Sequence, residues 1–286
     1  NKKNAEAMNS LADLAMRQGK TAEATGWLEK ASSENPESVI QVLKLGNHYL
    51  AIGDKEKALT LARKHQVADS KSADLLDLLG RTQMASKDYA GALETYSKLP
   101  GLAPKSALAQ VRLAGAHLMM NNTAAAAEDL KKALALQPDL LDAQLAQADL
   151  AMRAGKAEQA LAIAKQIQSQ RPKEAVGFML EGSLLQAQGK QAAAVAPMEQ
   201  AFKLAPTQQN LVALHIAKTK AGKGKEADPL LEQWLKAHPG DGNVQLYLAE
   251  TMLAKKQNKQ AIVLLESVLK TTPKNALALN NLAWAY

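Results

Sequence analysis

The sequence has no cysteine, which removes disulfides, thiolate metal sites and cysteine nucleophiles from consideration. A cysteine-free chain suits cytosol and periplasm equally, so the compartment stays open. Aromatic residues make up only 3% of the 286 positions, although 47% are hydrophobic. Nucleic-acid binding is therefore not expected, because no aromatic rings interleave with the basic residues to stack on bases. No apolar run approaches the roughly 20 residues that a membrane-spanning helix needs. No basic, then apolar, then small-residue leader precedes Asn4. The chain starts at Asn1 and stops at Tyr286 within a helical pattern, as expected of a piece of a longer protein whose leader or anchor lies outside it.

The net charge of +7 is unevenly spread. Residues 1–143 hold 18 basic against 17 acidic residues, and residues 144–286 hold 17 against 11. Much of the excess sits in Lys218, Lys220, Lys223 and Lys225 and in Lys255, Lys256 and Lys259, near expected turns, where lysine is ordinarily solvated. Alanine and leucine dominate the apolar residues and β-branched residues are few, which favours helix packed on helix.

Prolines organise the chain. Pro36, Pro104, Pro138, Pro172, Pro206, Pro239 and Pro273 recur every 34 residues, with one blank filled by Ser70 and one interval a residue short. Each follows an alanine-rich amphipathic stretch, where a ring without an N–H ends one helix and sets the turn into the next. Gly19, Gly53, Gly155, Gly189 and Gly222 mark a second turn halfway through the unit, and Lys87, Asn121 and Gln257 occupy or adjoin it elsewhere. Five residues beyond that turn stands an alanine in every complete unit: Ala24, Ala58, Ala92, Ala126, Ala160, Ala194, Ala227 and Ala261. A position that accepts only a methyl group marks a close approach of two helices. Facing it on the first helix are the larger knobs Leu11, Leu45, Leu79, Leu113, Leu214, Leu248 and Leu282, often followed by a small residue such as Gly46, Gly80 or Gly182.

The combination of Leu45-Gly46, Tyr49, Gly53 and Ala58, bounded by Pro36 and Ser70, resembles the tetratricopeptide repeat over residues 5–286. The resemblance implies an all-α, right-handed superhelical solenoid. It divides into an extension at 1–4, eight helix-turn-helix repeats over 5–275 forming one continuous array, and the first helix of a ninth from 276. The pattern departs in the fifth unit, where Gln147 replaces the leucine. It departs again in the seventh, where His215 replaces the small residue and one residue is missing before Gly222, so a local change of pitch is expected near 208–222. Stacks of this kind bury each hairpin only against its neighbours.

The resemblance also implies that the first helices line a concave groove through positions 2, 5, 9, 12 and 13 of each unit. Unit one offers Glu6, Asn9, Asp13, Met16 and Arg17; the candidate binding residues elsewhere are Asn47, Asp74, Asp77, Arg81, Asp142, Leu145, Asp149, Met152, Arg153, Met179 and Ser183. Met16, Met84 and Met152 recur at position 12, a stripe that reads first as packing between adjacent first helices. Position 9 keeps only Asn47 of the residues that clamp a peptide carboxylate in one branch of the family, so that role is not supported.

Chemistry is sparse. The five histidines, His48, His65, His117, His215 and His238, include no two at i, i+4, so no metal face is read and surface or interhelix roles are expected. Gly222-Lys223-Gly224-Lys225 lacks the strand, spacer and hydroxyl residue of a phosphate loop and reads as a repeat turn. No Ser/His/acid arrangement is readable, so neither catalysis nor a cofactor is expected. The words Arg171-Pro172-Lys173-Glu174-Ala175, Glu232-Gln233-Trp234-Leu235-Lys236-Ala237-His238-Pro239 and Asn275-Ala276-Leu277-Ala278-Leu279-Asn280-Asn281-Leu282-Ala283-Trp284-Ala285-Tyr286 resemble the tetratricopeptide-repeat lipoproteins that accompany bacterial PEP-CTERM protein sorting and exopolysaccharide export. That resemblance implies a periplasmic scaffold, lipid-anchored through a segment outside this chain, with protein or peptide ligands in the groove. Alternatives are direct binding of polysaccharide by the acidic steps and a cytosolic assembly factor.

Overall fold

A computed structural model describes residues 2–286. Seventeen helices and no strands occur among the described residues. They pair as α1 (Lys2–Arg17) with α2 (Thr21–Glu34), α3 (Val39–Ile52) with α4 (Lys55–Ala68), α5 (Ala73–Ala85) with α6 (Tyr89–Leu102), and α7 (Ala107–Met119) with α8 (Thr123–Leu136). Then follow α9 (Leu141–Arg153), α10 (Ala157–Gln170), α11 (Val176–Ala187) with α12 (Gln191–Leu204), α13 (Gln208–Lys220) with α14 (Gly224–Ala237), α15 (Gly242–Ala254) with α16 (Asn258–Thr271), and α17 (Ala276–Ala285). One compact unit ends at Leu150 and a second runs Ala151–Tyr286.

The turn inside each repeat is closed the same way. The residue beyond the left-handed position donates its N–H five residues back, as in Asp54 to the Tyr49 carbonyl at 2.9 Å and Lys223 to the Lys218 carbonyl at 2.8 Å. These bonds cap the carbonyls a helix leaves unpaired. Gly53 and Gly222 take φ of +81° and +77° there, while Lys87 at +64°, Asn121 at +57° and Lys256 at +61° adopt the same conformation with a side chain attached. In the last repeat Lys256, adjoining Gln257, bears the strain, at the position the spacing from Gly222 gives. Lys256→Gly is expected to raise stability by about 1 kcal/mol, the usual cost of an L side chain in that region. An unchanged or lower urea midpoint would contradict it.

The start of the next helix is held by a side chain. Asp54, Ser72, Asp88, Ser106, Asn122, Thr207, Asp241 and Asn275 each accept from the backbone N–H three residues on. The residue missing from the period before Gly222 is lost from the link between two hairpins. Residues 205–207 link α12 to α13, three where 35–38, 69–72 and 103–106 supply four. The inner turn keeps its geometry because the deletion is absorbed where the chain is not helical. Pro100, Pro197 and Pro229 lie inside helices, so proline marks the repeat ends without being confined to them.

All eight recurring alanines are fully buried. In the first unit Ala24 and Ala58 share a cluster with Leu28, Leu45 and Tyr49, and Ala126 packs with Leu130, Ala133 and Ala143. In the second, Ala261 packs with Leu265 and Val268, and Leu211, Leu231, Val244 and Leu248 form another cluster. The cores are strung along the chain, each built by consecutive helices. Leu11 departs from the expected knob, standing 40% exposed on α1 while Leu45, Leu79, Leu214 and Leu248 are buried. The glycines after the knobs admit ring and branched side chains: a Cβ on Gly46 would meet Leu78, one on Gly80 would overlap Tyr96, and one on Gly182 would meet Met198.

Candidate binding groove

The short turns fold each hairpin back on itself, and this sets the first helices of successive repeats side by side. α3 touches α5 and α5 touches α7 in the first unit, and α11 touches α13 and α15 touches α17 in the second. A period of 34 residues therefore brings residue n of one first helix opposite residue n+34 of the next.

In the first unit that register builds a polar ladder. Asp77 accepts from the guanidinium of Arg81 on the same helix at 2.8 Å and from that of Arg112 on α7 at 2.8 Å. Arg81 in turn donates to the side-chain oxygen of Asn47 on α3 at 2.7 Å. Three first helices are thus joined through one carboxylate and two planar guanidiniums, whose fixed donor geometry suits such sharing. The three charged side chains are about two-thirds or more covered, so the pairs are screened less than surface pairs.

The candidate residues fall into several environments. Asn47, Asp77 and Arg81 meet in the ladder, and Asp74 stands exposed one turn before Asp77. Asp142 and Asp149 are exposed and Leu145 half-buried on the part of α9 within the first unit. Met152 is half-buried, Arg153 and Ser183 are exposed, and Met179 packs on the cluster of Val195, Met198, Leu214 and Ala217, all in the second unit. Arg112 was not among the candidates. It lies one position past the face taken as inner, and the 35-residue spacing to Asp77 is the signal that would have found it. At position 12, Leu50, Met84 and Leu118 pack on core clusters while Met16 is 41% exposed, so the stripe is mainly packing.

Replacing Asp77 by Ala leaves two guanidiniums facing each other without their common acceptor. We expect a loss of about 2 kcal/mol, from two charge-assisted hydrogen bonds. In a double-mutant cycle with Arg112→Ala the two effects should fall well short of adding. Strict additivity would show that the ladder carries no coupling.

The histidines are of several kinds, some between helices and some on the surface. His48 shares a 2.7 Å hydrogen bond with Thr25. His117 lies 3.7 Å from the buried Asp129. His238 stacks on Trp234 with centroids 4.1 Å apart. His215, the departure in unit seven, is buried with Nδ1 2.9 Å from the Tyr247 hydroxyl and Nε2 3.3 Å from Asp228. Because a carboxylate only accepts, Nε2 donates to Asp228 and the Tyr247 hydroxyl donates to Nδ1. Asp228 is also gripped by Lys255 at 2.5 Å. Sequence spacing could not show the partners of His215, since Tyr247 and Asp228 sit on the neighbouring helices.

Burial lowers the His215 pKa, outweighing the raising effect of Asp228, and burial likewise lowers those of His48 and His65. The folded state thus binds protons less readily than the unfolded chain. The stability these neutral histidines contribute is present above the ordinary value of about 6.5 and is lost as pH falls from there toward the depressed folded values. Urea midpoints should fall between pH 7.5 and 5.5, and His215→Gln should flatten the fall. An identical slope in the variant would remove His215 from this account.

The C-terminal basic cluster is not uniformly solvated. Lys218 is 8% exposed and its ammonium lies 2.5 Å from Glu199 and 3.4 Å from Glu226, which hold its pKa up, the hydrogen bond to Glu199 most of all. With Lys255 bound to Asp228 at the surface, two of the seven lysines are paired within the fold. Among the described residues no group of three or more His, Asp or Glu side chains converges in a way that could hold a metal, and no helix is long and apolar enough to cross a membrane.

A family model described as tetratricopeptide repeat matches residues 9–74, 43–107, 78–140 and 111–175, and a second of the same description matches 218–286. The fold is similar to a tetratricopeptide repeat protein from Parabacteroides merdae, with TM-score 0.60, 16% identity and 99% of each chain covered. It is also similar to a chain of the APC/C hetero-tetramer Cut9-Hcn1, with TM-score 0.55 and 18% identity over 96% of this chain and 54% of that one. A third, the pilF protein of Pseudomonas aeruginosa, has TM-score 0.55 and 21% identity over 73% and 95%. No curated protein matches the sequence.

Proposed function

The chain belongs to the tetratricopeptide-repeat family, whose members generally mediate protein–protein interaction, and we propose that it is a non-catalytic scaffold holding an extended segment of a partner protein along its first helices. The observation that carries this reading is the ladder from Asn47 through Arg81 and Asp77 to Arg112. It ties α3, α5 and α7 into one face and leaves Asp74 exposed beside it, a preorganised polar surface rather than a set of independently moving side chains. Asp142 and Asp149 extend the acidic character further along the chain.

The setting we infer is the bacterial envelope, in exopolysaccharide export or PEP-CTERM protein sorting, with a lipid anchor outside this chain and the array in the periplasm. Support for it comes from the sequence words at 171–175, 232–239 and 275–286 alone. Direct capture of an amine-bearing polysaccharide is the weaker reading, because Asp77 is already shared between two arginines.

Affinity capture from the source cell's envelope extract tests both. The array should retain a discrete protein that a folded Asp74→Lys/Asp142→Lys variant loses. Equal retention by both forms would remove the acidic face from the mechanism, and glycan enrichment without protein would replace the scaffold by polymer binding.

A further inference from the structure

A cavity of about 750 Å³ opens between α1, the 35–38 turn and the start of α3, within the range of about 300–1,000 Å³ typical of small-ligand sites. Asn9 and Gln41 line it, 6% and 8% exposed, and the side-chain oxygens Oδ1 of Asn9 and Oε1 of Gln41 accept no hydrogen bond. Buried amide oxygens are ordinarily paired, so two orphaned acceptors on side chains that line one cavity ask for a donor from outside the fold, which each amide would turn to meet. Glu6 and Glu37 add carboxylates, both exposed, against the single ammonium of Lys44 on the same wall. Pro36 and the 65%-exposed Ile40 supply apolar surface.

We infer that this cavity binds a guanidinium carried on an aliphatic stem, an arginine side chain of a bound segment. The group is planar, always charged and offers five N–H donors with no acceptor, which matches a site of amide oxygens and carboxylates. Its methylenes match the proline and isoleucine. That the arginine belongs to a peptide rests on the protein-binding reading above; the donor chemistry of the site does not.

The test is a ¹⁵N–¹H titration of the whole chain with the blocked tripeptides acetyl-Ala-Arg-Ala-amide and acetyl-Ala-norleucine-Ala-amide, and with agmatine. The arginine peptide should give saturable shifts at amides of residues 5–9 and 35–44, with an affinity at least about fivefold tighter than norleucine, a difference of about 1 kcal/mol. Asn9→Leu/Gln41→Leu should abolish them. If that pair unfolds, the exposed substitutions Glu6→Gln/Glu37→Gln should weaken binding at least about threefold instead, by removing the rim charge. Agmatine binding as tightly as the peptide would keep the guanidinium site and assign it to a free small molecule. Equal binding of the norleucine peptide, persistence in both variants, or no saturable shift would overturn the proposal. Loss of partner capture in Asp74→Lys/Asp142→Lys with these shifts intact would separate the groove from this site.

Discussion

Gly80→Ala is expected to cost about 3 kcal/mol, far more than the ordinary gain or loss from exchanging these residues in a helix. The added methyl would occupy the space of the Tyr96 ring, which is 1% exposed and walled by Leu76, Ala92, Leu99, Ala109 and Ala116. A ring so enclosed has no rotamer to retreat to, so α5 and α6 must separate. Shortening the opposing side chain supplies the control. Gly80→Ala should be much less harmful in a Tyr96→Leu background, and the two changes should be strongly non-additive in urea unfolding. Similar costs in both backgrounds would place the strain elsewhere. Gly182→Ala, which faces the flexible thioether of Met198, should cost less than Gly80→Ala.

Leu231→Ala should cost about 3–4 kcal/mol, because its side chain is fully buried among Leu211, Val244 and Leu248 and the void has helices on every side. A stack of repeats distributes that loss locally, since each hairpin rests on its neighbours and not on a common core. Amide exchange should accelerate over residues 208–271 while residues 42–130 keep their protection. Uniform acceleration from one end to the other would show a single cooperative unit and contradict the local picture. Val263, 66% exposed one repeat later, provides the comparison, and Val263→Ala should change stability by less than about 0.5 kcal/mol.

These sites divide into features carried by the sequence and features made by packing. Ala92 and Ala227 were recognisable as close-contact positions because only a methyl group recurs there, and both are fully buried. Gly80 was recognisable as small, but the ring it admits was not, because Tyr96 lies sixteen residues away on the other arm of the hairpin. The period of 34 places Asn47 in register with Arg81, and helical spacing puts Asp77 on the same face, while the inner face itself is what the repeat resemblance implies. Their union with Arg112 was not legible, since it depends on where side chains of three helices end once the helices touch. Lys218 looked like a solvated turn residue and is clamped by Glu199 and Glu226. Gln41 is an ordinary polar residue in the sequence until the 35–38 turn closes a cavity around it.

The division has one physical cause. Helix type, turn position, repeat length and the small-against-large pairing depend on residues within a single 34-residue period, where local conformational preference and hydrophobic spacing act directly, so they were present in the order of the residues. The hydrogen-bonded ladder, the neutral His215, the buried Lys218 and the orphaned oxygens of Asn9 and Gln41 depend on distances of a few ångströms between side chains on different helices. Hydrogen bonds and desolvation fall away over such distances, and the packing of one hairpin on the next is what sets them.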